Sequence, residues 1–98
     1  MNNITPTEVE QLLESGKTLN IIDVRETYEV ASGKIPGATN IPLGLLEARM
    51  PELDKNKEYI IVCLSGGRSA NATMFLEGRG YKVTNMIGGM MSWQGEIE

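Results

Sequence analysis

The chain contains no histidine and a single cysteine among its 98 residues, and these two shortages remove most of the common nucleophilic and metal chemistries. Without an imidazole there is no Cys–His dyad, no Ser–His–Asp triad and none of the commoner zinc sites. One cysteine permits neither an internal disulfide nor a CxxC redox pair, and no metal or other cofactor is expected. Long apolar runs are missing too: none approaches the ~18 residues needed to span a membrane. The polar, acidic start MNNITPTEVEQLLESG does not read as a signal peptide, so the cytoplasm is the expected location. Basic clusters are also lacking. Nine Lys and Arg are dispersed against 13 Asp and Glu, a formal net charge of −4, which argues against nucleic acid or an anionic membrane as partner. At this length a single domain over residues 1–98 is expected, able to bury roughly 60–70% of the unfolded chain's surface without staples.

What is present centres on the lone Cys63. It closes the apolar run Tyr59 to Val62 and opens the segment LSGGRS, and Ser69 to Gly78 reads as a helix with Ala72, Phe75, Leu76 and Arg79 along one side. A continuous apolar run of this kind predicts a buried strand of a parallel sheet. Cys63 therefore falls where a strand ends and a helix begins, the edge at which open α/β sheets bind ligands. The amides of a Gly-rich turn together with a helix N-terminus form an anion cradle. Between Tyr59 and Leu76 the only charged side chain is Arg68, which makes the loop a positive island in an acidic chain. A thiol's ordinary pKa of about 8.5 falls in such surroundings. A cysteine at a strand end is often no more than a small buried hydrophobe, but packing alone gives two glycines and an arginine after the sulfur no purpose. Gly66 and Gly67 are read as the residues that let the amides turn inward, at positive φ or in crowded backbone, so that Gly67→Val is expected to harm the cradle more than the fold.

The rest of the chain alternates strands with helical segments. Thr5 to Glu8 is a capping box with proline at the first helical position, predicting a helix from Pro6 to about Ser15 with Val9, Leu12 and Leu13 inward. Leu19 to Val24 reads as a second buried strand, RETYEVASG as a short helix ended by Gly33, and KIPGATNIP as a turn leading into an extended stretch over Ala38 to Ile41. LGLLEARM is a short helix before Pro51, Tyr81 to Met86 a further strand, and GGMMSWQGEIE a last short helix or turn. Met86, Met90, Met91 and Trp93 are read as core and pocket rim. Asp23 and Arg25 fall at the same sheet edge as Cys63, with Arg25 and Glu29 spaced to pair across one helical turn. The pattern predicts an α/β domain with a mostly parallel central sheet.

Four pieces in order, IIDVRETYEVASGKIPGATNIP, VCLSGGRSANA, GYKVTNMIGG and MSW, resemble the rhodanese, or sulfurtransferase, family along nearly the whole chain. The resemblance implies a parallel sheet flanked by helices on both faces. It also implies an active-site loop that starts at the catalytic cysteine, Cys63, and wraps a pocket with the amides of Leu64, Ser65, Gly66, Gly67, Arg68 and Ser69. Asp23 and Arg25 would support that loop. The implied reaction is a double displacement in which the Cys63 thiolate takes sulfane sulfur from a small anionic donor such as thiosulfate, Arg68 orienting the donor's sulfonate, and passes it to cyanide, a thiol or a protein acceptor. Many relatives carry histidine where this chain has Lys34, either a solvated turn residue or added positive potential near the pocket. Two rival readings are kept: a persulfide carrier serving a partner enzyme, and a cysteine phosphatase. Phosphatase loops place five residues between Cys and Arg, whereas four lie between Cys63 and Arg68, and the loop offers no general acid.

Overall fold

A computed structural model describes all residues, 1–98. Five strands, β1 (Asn2–Ile4), β2 (Asn20–Asp23), β3 (Thr39–Asn40), β4 (Glu58–Val62) and β5 (Lys82–Met86), form one sheet in the order β1-β5-β4-β2-β3. Every pairing is parallel. Successive residues of a strand face opposite sides, so the unbroken apolar runs supply two cores at once. Ile22, Ile61 and Cys63 face one, Ile21 and Val62 the other.

The helices α1 (Pro6–Glu14), α2 (Thr27–Val30), α3 (Leu46–Arg49) and α4 (Gly67–Gly78) complete the layers. Val9 of α1 joins the core of Ile21 and Val62, while Leu46 of α3 and Ala72 and Leu76 of α4 join that of Ile61 and Cys63, so helices cover both faces as expected. The capping box is formed as predicted: the Glu8 amide donates to Thr5 Oγ1 at 3.1 Å and the Thr5 amide to Glu8 Oε1 at 3.0 Å. The segment around α3 is split into single 3-10 turns at Leu43–Leu45 and Met50–Glu52, the second containing Pro51. The last segment contributes one such turn, Met90–Ser92.

Three local differences from the sequence reading have physical causes. β1 is an edge strand with two exposed asparagines and no apolar alternation, anchored by Ile4 and by backbone pairing to β5. Helix α4 starts at Gly67, two residues earlier than expected, because Gly66 at φ 101° is a left-handed N-cap that turns the chain directly into the helix. On α4 the inward face is carried by Ser69, Ala72, Thr73 and Leu76, with Arg79 exposed and stacked over the Phe75 ring at 4.4 Å.

Topology places the site. After β2 the chain steps outward to β3, and after β4 it steps the opposite way to β5, although β2 and β4 are neighbours. The crevice beyond their carboxyl ends is a topological switch point. Asp23 ends β2, Cys63 follows β4, and Asp23 pairs with Val62 in register.

Candidate active site

Cys63 is 1% exposed and continues the alternation of β4, so its side chain lies on the face covered by α4. There the Gly66 amide donates to Sγ at 3.0 Å, and Ser69 Oγ, itself fully buried, lies 3.3 Å from Sγ. Ser69 is the third residue of α4, so its amide is one of the unpaired N–H groups of a helix start. Burial pushes the Cys63 thiol up, but the Ser69 hydroxyl and the amides of Ser69, Gly66 and Ser65 favour the thiolate more, and the balance lies below the ordinary thiol value.

The loop holds this shape because a second loop clamps it. The Met90 amide donates to the Cys63 carbonyl and the Met91 amide to the Leu64 carbonyl, both at 2.9 Å. In a trans peptide the C=O and the following N–H point opposite ways, so pinning the Leu64 carbonyl outward aims the Ser65 amide at the sulfur. Gly89 makes the clamp possible. A Cβ there would stand 2.4 Å from the Leu64 carbonyl oxygen, and its backbone, φ 59° and ψ −160°, is one that other residues do not adopt cheaply. The Gly66 carbonyl is tied in turn by the Ala70 amide at 3.1 Å and by Asn85 Nδ2 at 3.4 Å.

Of the predicted loop residues, Ser65, Gly66 and Ser69 converge on the sulfur, while Leu64 is 42% exposed at the rim. Gly67 departs from expectation. It has helical backbone with nothing within 4 Å of an added Cβ, so the special glycine is Gly66, at positive φ, and a Cβ at position 67 meets no clash.

Arg68 is not a free cation. Its Nη1 and Nη2 donate to the two carboxylate oxygens of Glu29 at 2.6 and 2.8 Å. The sequence placed Glu29 opposite Arg25; the fold instead brings it across from α2 to Arg68, so the positive island carries a matching negative charge. Those Arg68 hydrogen bonds, aided by the Glu26 amide, hold the Glu29 carboxyl at about 2, so the pair stays ionised until pH falls to that range.

Arg25 turns instead to Asp23: Nη2 and Nε donate to its carboxylate at 2.8 to 3.1 Å, and a further Nη2 bond reaches the Gly33 carbonyl at 2.8 Å. Both residues are buried, at 4% and 0% exposure. Asn40 Nδ2 donates to the carbonyls of both, locking the end of β2. No three His, Cys, Asp or Glu side chains converge in a metal-binding group, and no helix is long and apolar enough to cross a membrane.

Compared with known families, residues 5–96 match the rhodanese-like domain. The chain belongs to that family. Among its relatives is a Bacillus subtilis protein provisionally named the sulfurtransferase YtwF, 43% identical over 98 residues that cover 100% of this chain and 95% of that one. A second, provisionally named the sulfur carrier YrkF from the same organism, is 44% identical over 90% of this chain and 48% of its own length. The crystal structure of a rhodanese-like domain protein from Staphylococcus aureus superposes with a TM-score of 0.94 at 38% identity, covering 100% and 97% of the two chains.

Within this rhodanese-like chain Lys34 has a structural task. Its ammonium donates to the Ala38 carbonyl at 2.9 Å and pairs with Glu98, pinning the C-terminal residues rather than adding free charge to the pocket. Gly89, Asn85 and Glu29 were assigned no part in the loop from sequence. For Gly89 the signal was the Gly88–Gly89 pair one residue past β5; for Asn85 it was a polar residue inside that strand, 3% exposed with Oδ1 unpartnered.

Proposed function

We propose that this protein is a rhodanese-type sulfurtransferase in which Cys63 carries the transferred sulfur as a persulfide. The observation that carries the reading is the buried Cys63 sulfur facing the Gly66 amide at 3.0 Å and the Ser69 hydroxyl at 3.3 Å, at the switch point of a parallel sheet. The names of the relatives point the same way.

In the first half-reaction the Cys63 thiolate attacks the outer sulfur of a donor such as thiosulfate. A bond forms between Sγ and that sulfur, the donor S–S bond breaks, and the electron pair leaves on sulfite. In the second, a thiol or cyanide attacks the outer sulfur of the Cys63 persulfide and regenerates the thiolate. Thiolate and persulfide are both anions, so the preset amides of Ser65, Gly66 and Ser69 stabilise each resting state and the charge passing between them. None of these steps asks for an imidazole or a metal. Incubation with thiosulfate or an alkyl persulfide is expected to add the mass of one sulfur atom to the native protein and none to Cys63→Ser; a native protein that gains no sulfur contradicts the mechanism.

A carrier reading has one specific support, the similarity to YrkF. Turnover separates the two. Steady thiocyanate production from thiosulfate and cyanide marks an enzyme, whereas single loading discharged only to a protein acceptor marks a carrier. The phosphatase reading weakens, because the arginine it needs for phosphate is bound on both Nη atoms to Glu29.

A further inference from the structure

We propose that Glu29 is a specificity-determining residue: by clasping Arg68 it leaves the mouth of the Cys63 loop without a free cation, and so favours persulfides of alkyl thiols over the thiosulfate dianion. The inference rests on the sulfur-transfer reading and names the donor class for the same site.

Two guanidinium groups stand near the crevice, and each is matched. Arg25 is buried on Asp23 and spends a further bond on the Gly33 carbonyl. Arg68 meets Glu29 fork to fork through Nη1 and Nη2, with side-chain exposures of 35% and 16%, so the pair lies at the surface with the Arg68 charge matched by a carboxylate. Arg68 is the only charged side chain between Tyr59 and Leu76. Two cations against two carboxylates leave a formal charge of zero, and ionised Cys63 makes the site net negative. A dianion must then approach a thiolate with only peptide dipoles and the Ser69 hydroxyl in its favour. A persulfide brings at most one negative charge at its reacting end.

The rim suits an alkyl group better than a sulfonate. Leu64 is 42% exposed and Met91 72% exposed, joined through the Met91 amide and the Leu64 carbonyl. Tyr28, 78% exposed, directly precedes Glu29 on α2. Beside Leu64 a hollow of about 410 Å³, lined also by Met90, Trp93 and by Arg25, whose charge Asp23 matches, gives room for the rest of the thiol. Loading from such a donor forms the bond from Sγ to the terminal sulfur and breaks the donor's S–S bond. The electron pair leaves on the alkyl thiolate, which takes up the persulfide proton, so no outside oxidant or reductant is consumed.

The test compares second-order rate constants for loading Cys63 from thiosulfate and from cysteine persulfide, read by mass spectrometry. Glu29→Gln removes the charge but keeps an oxygen for the Glu26 amide, which Glu29 Oε1 accepts at 2.9 Å. The thiosulfate-to-persulfide ratio is expected to rise by about tenfold or more in Glu29→Gln, through a lower half-saturation for thiosulfate, and to fall back in Glu29→Gln/Arg68→Gln, which lacks the freed cation. An unchanged or lower ratio in a folded Glu29→Gln overturns the inference. Salt dependence of the native protein is an independent check: screening relieves repulsion, so thiosulfate loading stays flat or accelerates with added salt, while a steep fall reveals an available Arg68 and also overturns it. Failure of both donors to load the native protein overturns sulfur transfer itself.

Discussion

Gly89→Ala is expected to slow sulfur loading of Cys63 by about 100-fold to 1000-fold while the sheet and helices persist. Its Cβ would stand 2.4 Å from the Leu64 carbonyl oxygen and 2.6 Å from that of Cys63, so the loops must part. Parting them releases the bonds from Met90 and Met91 that hold both peptides of the cradle. The Ser65 amide then rotates freely, and loss of one preset donor to a developing anion costs about 2.7–4 kcal/mol elsewhere. The fold loses less, since the added backbone strain is on the order of 1–3 kcal/mol against a typical total stability of about 5–15 kcal/mol. Circular dichroism with single-turnover loading separates the two effects. Native loading in a folded Gly89→Ala protein would show that the clamp does not shape the cradle.

Asp23→Ala is expected to be the most destabilising single change outside the apolar core, at about 3–5 kcal/mol. Removing one member of a buried ion pair strands the other charge, and that range is the usual result. Here the stranded group is Arg25, 4% exposed, left with the Gly33 carbonyl at 2.8 Å and a weak contact to the Glu29 carbonyl at 3.5 Å. The Arg25 amide, which donates to Asp23 Oδ1 at 3.0 Å, loses its acceptor as well. In a chain of this size each kcal/mol lowers the melting temperature by roughly 4–8 °C. Urea unfolding at constant slope gives the number directly, and a loss below about 1 kcal/mol would mean that the pair behaves as a solvated one.

The elements that could be read from sequence are those with a strong local signal. The buried runs at Ile21–Ile22 and Ile61–Val62, the Thr5–Glu8 capping box and the strand-to-helix placement of Cys63 all follow from near-neighbour patterns. β1 had no such pattern, because its place is fixed by hydrogen bonds to β5, which any sequence can make. The site divides along the same line. Cys63, Gly66 and Ser69 lie within one turn of chain and were visible together. Glu29 meets Arg68 across 39 positions and Met90 meets Cys63 across the whole of α4 and β5, contacts that only the sheet order creates. The Arg25 to Glu29 spacing suited a helical pair, yet a buried carboxylate two residues away offered Arg25 more hydrogen bonds, and Glu29 was left for Arg68.

The account rests on the Cys63 thiol being shifted toward thiolate, against the cost of burial, by the Ser69 hydroxyl together with the amides of Ser69, Gly66 and Ser65. The decisive measurement is the pH dependence of Cys63 alkylation, in the native protein and in Ser69→Ala. Because only the thiolate reacts, the rate rises with pH and levels off above the pKa; the native inflection is expected clearly below the ordinary ~8.5, and higher in Ser69→Ala. A native inflection at or above the ordinary value, or one that Ser69→Ala leaves in place, would contradict it.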